Sequence, residues 1–284
     1  MSDERVDVRK TYKLLVNGQF PRSESGRSYE VTTAAGVFWA NVAQGSRKDI
    51  RDAVVAARAA QAKWWGATAY NRGQVIYRLA EMAESRRGEL REHVAAAEAL
   101  SDADADAVVS RSIDRIVWYA GWTDKITQVL GGANPVAGPF FNFSLPTPSG
   151  VVGVLAPQDS SLEGFVDCVL APICVGNTVV VVASELRPTP AVLLGEMSAT
   201  SDFPPGVLNI ITGVTGELSA TLASHEDVDG LDLAGVGVDA DELAQVAAGS
   251  IKRVHRPRAN DDPSSLRQLR AFVETSTVWH TIGQ

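Results

Sequence analysis

Four short runs rich in β-branched residues, separated by segments of helical length, constrain the fold of this chain more than any other feature. The runs read VVGVLA, TVVVVA, VLNII and VDGLDLA, at residues 151–156, 178–183, 207–211 and 228–234. They are mostly continuous in hydrophobicity, as in strands buried on both faces of a parallel sheet. The intervening helical segments cover 160–175, 189–200, 216–224 and 239–249. With right-handed crossovers, this series predicts an α/β fold with a doubly wound parallel sheet that binds ligands at the carboxyl ends of its strands.

The region before this sheet is predicted to be mainly helical. Asn17-Gly18, within residues 13–20, favours a short hairpin. A helix is expected to begin near Ser46, with Asp49 three positions on as the partner in a capping box. A second helix is expected to continue to about residue 97, through Val75, Leu79 and Met82. A third helix is expected to carry, on one side, Ile113, Ile116, Val117 and Ala120.

Two segments have patterns that do not belong to the parallel sheet. Residues 139–150, PFFNFSLPTPSG, mix large aromatic and small polar side chains with prolines, which suits an exposed edge ribbon. Residues 272–283, FVETSTVWHTIG, have the β-branched and aromatic content of a strand. Between the sheet and this last strand lies a polar connector that contains proline, RPRANDDPSS at 256–265.

Composition excludes several classes of protein. The net charge of −8 and pI near 5.1 argue against a nucleic-acid binder, which needs a basic surface to neutralise phosphates. No apolar run has the length of a membrane span, and the start, MSDERVDVRK, resembles a solvated tail rather than a secretory signal. The two cysteines, Cys168 and Cys174, lie in an apolar segment, which favours core packing. Two cysteines also suit a reducing, cytoplasmic compartment better than a disulfide framework. The four histidines show no metal-ligand spacing, so no metal site is predicted.

Several motifs, in order along the chain, resemble the aldehyde dehydrogenase superfamily. They are LVNGQF, IRDAVVAARAAQAKW, YAGWTDKI, GPFFNFSLPTPSGVVGVLAP, GNTVVV, PPGVLNIITG and IKRV, followed by TSTVWHTIG near the carboxyl terminus. The resemblance covers about residues 12–284 and implies the Rossmann-like nucleotide-binding fold of that family. It also implies a degenerate NAD-binding-type domain at 1–138 and 151–255, an oligomerisation arm at 139–150 and 272–284, and a connector at 256–271.

The same resemblance implies that the catalytic domain is absent. In the family, that domain lies between the strand similar to IKRV and the last strand, and it carries the nucleophilic cysteine and a glutamate general base. Here only the connector fills the interval, and His255 and Arg256 follow IKRV directly. The chain is similar to the degenerate second domain of two-domain aldehyde dehydrogenases, and no catalytic residue is expected.

The family's cofactor positions map onto residues that keep the glutamate, Glu185, but lose other groups. We therefore interpret them as vestigial: Pro157, Asp159, Val182, Glu185 and Gly235. Asp159 replaces an asparagine that donates to the oxyanion, and an ionised carboxylate can only accept. Val182 replaces the lysine that shares the ribose with the glutamate. After Gly235, three acids at Asp239, Asp241 and Glu242 stabilise a helix start but repel a diphosphate. No cofactor is expected, and NAD is kept as the weaker possibility.

The arm is the part that the resemblance leaves intact. Its expected interface residues are Phe140, Phe141, Phe143, Leu145, Val278, Trp279 and Ile282. In the family such an arm extends the catalytic-domain sheet of a neighbouring subunit, so we expect a hetero-oligomer with a complete NAD(P)-dependent aldehyde dehydrogenase, and neither nucleic acid nor membrane as a partner. Two alternatives remain open: an aldehyde oxidoreductase with a remodelled site, and a regulatory module that binds a small ligand.

Overall fold

The computed structural model describes residues 10–237, 239–257 and 265–283. A parallel five-stranded sheet forms the centre, with strand order β10-β9-β6-β7-β8. Its strands are β6 (Val151–Leu155), β7 (Thr178–Val182), β8 (Leu208–Ile211), β9 (Gly230–Asp232) and β10 (Arg253–His255). The helices between them are α6 (Glu163–Cys174), α7 (Thr189–Ser198), α8 (Thr215–Ser224) and α9 (Ala240–Ala248). The predicted α/β class and doubly wound sheet are confirmed, although the last predicted strand is shorter than 228–234.

Helices cover both faces of this sheet, which explains why its strands are continuously apolar. All five residues of β6 and of β7 are buried. One core joins one face to α6, α7 and the helices α2 (Ala69–Ser85), α3 (Arg87–Glu98) and α4 (Asp102–Trp122). The other core joins the opposite face to α1 (Arg47–Gly66), α8 and α9. The strands are parallel, so their carboxyl ends meet at one edge.

Local signals near the amino terminus are confirmed. Ser46 accepts hydrogen bonds from the backbone of Lys48 and Asp49, and the Asp49 carboxylate accepts one from the Ser46 N–H, so the capping box is present. Asn17 and Gly18 both adopt positive φ in a tight turn. The expected short hairpin is present: Val16 and Gln19 bond to each other, and the Leu14 N–H donates to the Pro21 carbonyl at 3.1 Å. Leu15, between Leu14 and Val16, pairs on the other side with Ile210 of β8. A small sheet of order β1-β3-β2 lies nearby, formed by β1 (Thr11–Tyr12), β2 (Ser28–Thr32) and β3 (Phe38–Ala43).

Two predictions in the helical region are wrong. The helix expected to reach residue 97 is two helices, because Arg86 leaves the helical conformation at φ −111° and ψ 22°. The Ser85 hydroxyl donates to the Met82 carbonyl there, and such a bond competes with the helical backbone. Val117, expected on the buried side of its helix, is 40% exposed, whereas Ile116 is buried.

A third sheet, antiparallel and of order β11-β5-β4, shares no strand with the other two. Its strands are β4 (Gly132–Asn134), β5 (Phe140–Pro148) and β11 (Val273–Thr281), and a short helix α5 (Ile126–Leu130) precedes β4. Within the expected connector at 256–271, Leu266–Ala271 form helix α10 with Leu269 buried in the main core. The tail at 1–9, the connector residues 258–264 and Gln284 lie outside the described residues.

Candidate functional site

Strands β5 and β11 pair over their whole length. The register runs from Val273 opposite Pro148 to Thr281 opposite Phe140, with no irregularity. On the other side of β5, the short β4 pairs only from Gly132 to Asn134. Among the described strands, β11 therefore pairs on one side only, which leaves a nine-residue edge, and every residue of β11 after Val273 is exposed. An edge strand of this length offers unpaired backbone groups to another chain.

The base of this sheet is fixed to the parallel sheet through Asn177. This fully buried side chain accepts from the Gly150 N–H at 2.9 Å and donates to the Phe272 carbonyl at 3.1 Å. The Phe272 ring is also buried, and it lies so close to Gly230 on β9 that a side chain there would collide with it. The end of β5 and the start of β11 are thus fixed to the core. We refer to these two strands as the arm. The sequence offered no signal for this junction beyond an asparagine in a buried segment.

The seven predicted interface residues do not form one surface. Residues opposite each other in the register share a face. Phe141 and Phe143 therefore share one face with Val278, and their two rings lie 5.3 Å apart. Phe140 and Trp279 lie on the other face in an edge-to-face contact at 5.7 Å. Leu145 belongs to the first face and is half-buried, and Ile282 follows the end of β11.

The two faces differ in polarity. On the face of Trp279, the Asn134 amide donates to Asn142 at 2.6 Å and to Ser144 at 2.9 Å, and Ser144 in turn contacts Thr277. The opposite face carries the apolar stripe of Phe141, Phe143, Leu145 and Val278. Phe141 is 49% and Val278 39% exposed there. The arm thus presents one apolar face, one face with a polar ladder, and a free edge.

Both cysteines are core residues, as predicted. Cys168 and Cys174 are at most 1% exposed, and their thiols donate to the carbonyls of Phe165 and Tyr119. Burial raises the pKa of each thiol well above its ordinary value. A nucleophilic cysteine needs the opposite, an accessible sulfur with a lowered pKa.

At the carboxyl edge of the parallel sheet, the loop after β6 is closed by its own side chains. The Gln158 Oε1 accepts from the Glu185 N–H at 2.9 Å and from the Ser184 hydroxyl at 3.3 Å, which joins the ends of β6 and β7. Ser160 caps the following helix by accepting from the Gly164 N–H. Asp159 contributes its main-chain carbonyl, which accepts from Arg187 at 2.7 Å. Pro157 is half-buried and lies against Gly164.

The two positions that the resemblance assigns to the ribose have different surroundings. Val182 is completely buried in β7, within the core beneath α1 and α8. The Glu185 carboxylate accepts from the Thr215 N–H at 2.9 Å, at the first residue of α8. Glu185 is half-buried and caps the start of α8.

Gly235 lies where the ends of β6 and β9 touch. Its N–H donates to the Leu155 carbonyl at 2.7 Å, and a Cβ at this position would fall 1.8 Å from the Ala156 carbonyl oxygen. Packing alone therefore requires glycine here. The following helix has Asp241 and Glu242 in its first turn, and Arg256 pairs with Asp241.

Two buried polar groups were not anticipated from the sequence. Asp167 on α6 pairs with Arg115 on α4 at 3.0 Å and accepts from the Tyr119 hydroxyl at 3.0 Å. Its burial raises the pKa of this carboxyl to about 6, more than Arg115 lowers it. Asp232, at the end of β9, contacts the His255 ring at 3.0 Å, and both side chains are at least nine-tenths buried. Packing of α4 on α6 brings the first pair together, and the neighbouring strands β9 and β10 bring the second together, so one-dimensional patterns do not show them.

Comparison with known proteins decides the family. The model of the aldehyde dehydrogenase family matches residues 20–256. The chain belongs to the aldehyde dehydrogenase family. It is 31% identical over 264 residues to the putative aldehyde dehydrogenase DhaS of Bacillus subtilis (strain 168), covering 90% of this chain and 52% of that protein. It is 33% identical over 288 residues to aldehyde dehydrogenase 1A1 of Gallus gallus, covering 95% and 55%. The chain thus spans about half the length of these curated relatives.

Solved aldehyde dehydrogenase structures have the same fold. The NAD⁺ complex of the Bacillus cereus enzyme matches with a TM-score of 0.80 at 28% identity, over 86% of this chain and 50% of that one. A putative aldehyde dehydrogenase from Burkholderia cenocepacia matches with a TM-score of 0.82 at 27% identity, over the same shares. The predicted family is confirmed, and the likeness covers most of this chain and about half of each solved structure.

Two further findings concern the part of the chain that the structure describes. No three His, Cys, Asp or Glu side chains lie close enough together there to hold a metal ion. None of its helices is both long and apolar enough to cross a bilayer.

Proposed function

We propose that this chain is a non-catalytic aldehyde-dehydrogenase-like subunit that assembles with a complete aldehyde dehydrogenase and stabilises or organises it. The observation that carries the proposal is the nine-residue free edge of β11 on a ribbon whose base is anchored in the chain's own core. A rigid base keeps the exposed edge in one place, so pairing with a partner's strand costs little additional ordering entropy in this chain.

The need for a different partner follows from symmetry. A twofold exchange of arms requires each chain to offer an arm and to receive one. Between β10 and β11 the described residues form only α10, so this interval adds no sheet to receive a neighbour's strand. A chain with a complete catalytic domain would supply the receiving sheet, and pairing would cover the edge of β11.

The candidate nucleophiles argue against catalysis by this chain. Cys168 and Cys174 are enclosed in the core, and their pKa values are raised by burial. An aldehyde cannot reach either sulfur without opening the fold, and the thiolate form is disfavoured at neutral pH. The Asp159 carboxyl, at the position of the family's oxyanion donor, adds no donor when ionised.

The cofactor positions also fit NAD poorly. The buried Val182 offers no donor to a ribose, and one oxygen of Glu185 already accepts from Thr215. Asp241 and Glu242 place negative charge in the first turn of α9, where a diphosphate would need a positive helix end. NAD binding, as in the Bacillus cereus relative, would instead favour a remodelled oxidoreductase.

Isolation from the native cell tests the proposal. The chain is purified through an affinity tag under gentle conditions, and the mass of the intact complex is measured. We expect a complex that contains a full-length aldehyde dehydrogenase. Once the two chains are separated, this chain should show no aldehyde dehydrogenase activity. A chain that purifies alone as a stable monomer contradicts the proposal. Micromolar NAD binding with aldehyde turnover by the isolated chain would establish the oxidoreductase instead.

A further inference from the structure

A basic cavity lies at the amino-terminal end of α1, between the first turns of α1 and α8. It has a volume of about 470 Å³ and is lined by Glu24, Arg27, Ser46, Arg47, Lys48, Arg51, Glu217 and Leu218. Leu218 is buried and forms an apolar floor, and the charged side chains are exposed around it. None of the positions related to the family's cofactor lines this cavity.

The charges around the cavity are unbalanced. Lys48 pairs with Asp52 at 2.6 Å on the next turn of the helix. In contrast, the guanidinium groups of Arg27, Arg47 and Arg51 form no ion pair with any carboxylate in the described residues. The lining also includes two acids. Glu24 accepts from the Ser46 hydroxyl at 3.1 Å, and Glu217 lies in the first turn of α8.

Three unpaired arginines in one concavity are unusual for a chain with a net charge of −8. The three arginines repel one another, and pairing with some of the protein's many acidic side chains would have relieved that repulsion. The α1 helix adds to the positive potential, because its amino-terminal dipole end points toward the same space. Guanidinium groups form two parallel hydrogen bonds to phosphate oxygens, so a ligand with more than one phosphate oxygen can engage several at once.

We propose that this cavity binds a soluble, phosphorylated small molecule through Arg27, Arg47 and Arg51. The bound phosphates would replace the missing carboxylate partners, and the Leu218 floor would contact the apolar part of the ligand. The site is independent of the arm and of the assembly role, since it shares no residue with β5 or β11. A ligand here would stabilise the subunit itself by preferential binding to the folded chain.

The probe is inorganic pyrophosphate, titrated into the full chain at constant ionic strength and followed by calorimetry. We expect saturable binding of one equivalent, and binding at least about tenfold weaker in the double variant Arg47→Gln/Arg51→Gln, since charge-assisted hydrogen bonds are lost. The matched control is Arg78→Gln, which removes an exposed arginine on α2 that is paired with Glu81. It should bind as the unmodified chain does.

The results that overturn the proposal are distinct. Equal affinity in the double variant and in Arg78→Gln would show that the binding is unspecific or lies elsewhere. An absence of saturable binding to pyrophosphate would remove the site. Sedimentation with phosphatidylserine vesicles in the absence of pyrophosphate binding would identify a membrane-surface patch instead. The melting temperature of each variant without ligand checks that the fold is retained.

Discussion

The side-chain amide of Asn177 donates to the main-chain carbonyl of Phe272 over 3.1 Å, joining residues 95 positions apart in the sequence. The same side chain accepts from the Gly150 N–H and donates to the Pro172 carbonyl, so all of its polar atoms are used. Because Gly150 follows the end of β5 and Phe272 precedes the start of β11, one buried amide fixes both long strands of the arm at their base. The arm is therefore joined to the core of the parallel sheet.

Replacing Asn177 with alanine should destabilise the whole chain. The substitution leaves the buried Gly150 N–H without its partner, at a cost of about 1–3 kcal/mol, and the Phe272 carbonyl keeps only its bond from the Ser149 N–H. Urea denaturation gives the free energy of unfolding. The exposed Asn71 on α2 is a matched control, because Asn71→Ala should change that free energy by less than about 0.5 kcal/mol. Equal effects of the two variants would mean that the Asn177 junction adds nothing to the free energy of unfolding.

A lysine at Val278 should weaken assembly without weakening the fold. Val278 is 39% exposed on the apolar face of the arm, and lysine on an edge strand opposes pairing with a second chain. We expect the amount of partner that co-purifies with Val278→Lys to fall at least about tenfold, a loss of roughly 1.4 kcal/mol or more. The melting temperature of the isolated chain should stay unchanged.

The control for this variant is Val55→Lys, on α1 and away from the arm, where the valine is 63% exposed. It introduces the same charge on an exposed valine and should leave the yield of partner unchanged. Equal losses in both variants would assign the effect to added charge, and no loss in either would place the contact outside the arm.

The native chain should resist thiol alkylation. Both cysteines are buried and their pKa values are raised, so at pH 8 neither the accessible sulfur nor the thiolate that iodoacetamide requires is available. Mass spectrometry should detect no adduct on the folded chain within the time that labels both cysteines in urea. Rapid labelling of one cysteine in the folded state would reopen the question of catalysis.

Asp167 should make stability depend on pH in a direction unusual for a carboxyl group. Burial raises its pKa from 3.8 to about 6, so the folded chain holds this proton more tightly than the unfolded chain. The stabilisation of the folded chain by this proton is therefore complete below about pH 4 and is lost as the pH rises through about 6. The loss is at most about 3 kcal/mol, at 1.36 kcal/mol per pKa unit.

Asp167→Asn isolates this contribution, because asparagine keeps the shape and a hydrogen-bonding oxygen but does not titrate. The free energy of unfolding of the unmodified chain minus that of the variant should fall between pH 4 and pH 6.5. If the difference instead rises with pH, attraction to Arg115 outweighs burial, and the carboxyl is ionised throughout this range.

The parallel sheet could be predicted from the sequence because its strands are buried on both faces and so are apolar at successive positions, as in TVVVV of β7. The capping box at Ser46 could be predicted because both partners lie within one turn. Strand β4 could not, since GAN has no strand signal and is fixed by pairing with β5. The same limit applies to α10, which is too short to form without the buried contacts of Leu269.

The candidate site was predictable in composition and not in arrangement. The aromatic residues of the two arm strands are visible in the sequence. Their division between two faces depends on the register that sets Val278 opposite Phe143. The use of Gln158 and Glu185 as local hydrogen-bond partners depends on contacts between neighbouring strand ends, which no spacing rule encodes.

Hydrogen exchange at the backbone amides of β11 tests the central claim most directly. The chain is labelled alone and in the complex isolated from the native cell, and Val273–Thr281 are followed by mass spectrometry. The assembly role predicts that about half of these amides, those on the free edge, exchange rapidly in the isolated chain and become protected in the complex, since pairing covers them. A stable monomer in which all of β11 is already protected, with no further change in any complex, would contradict it.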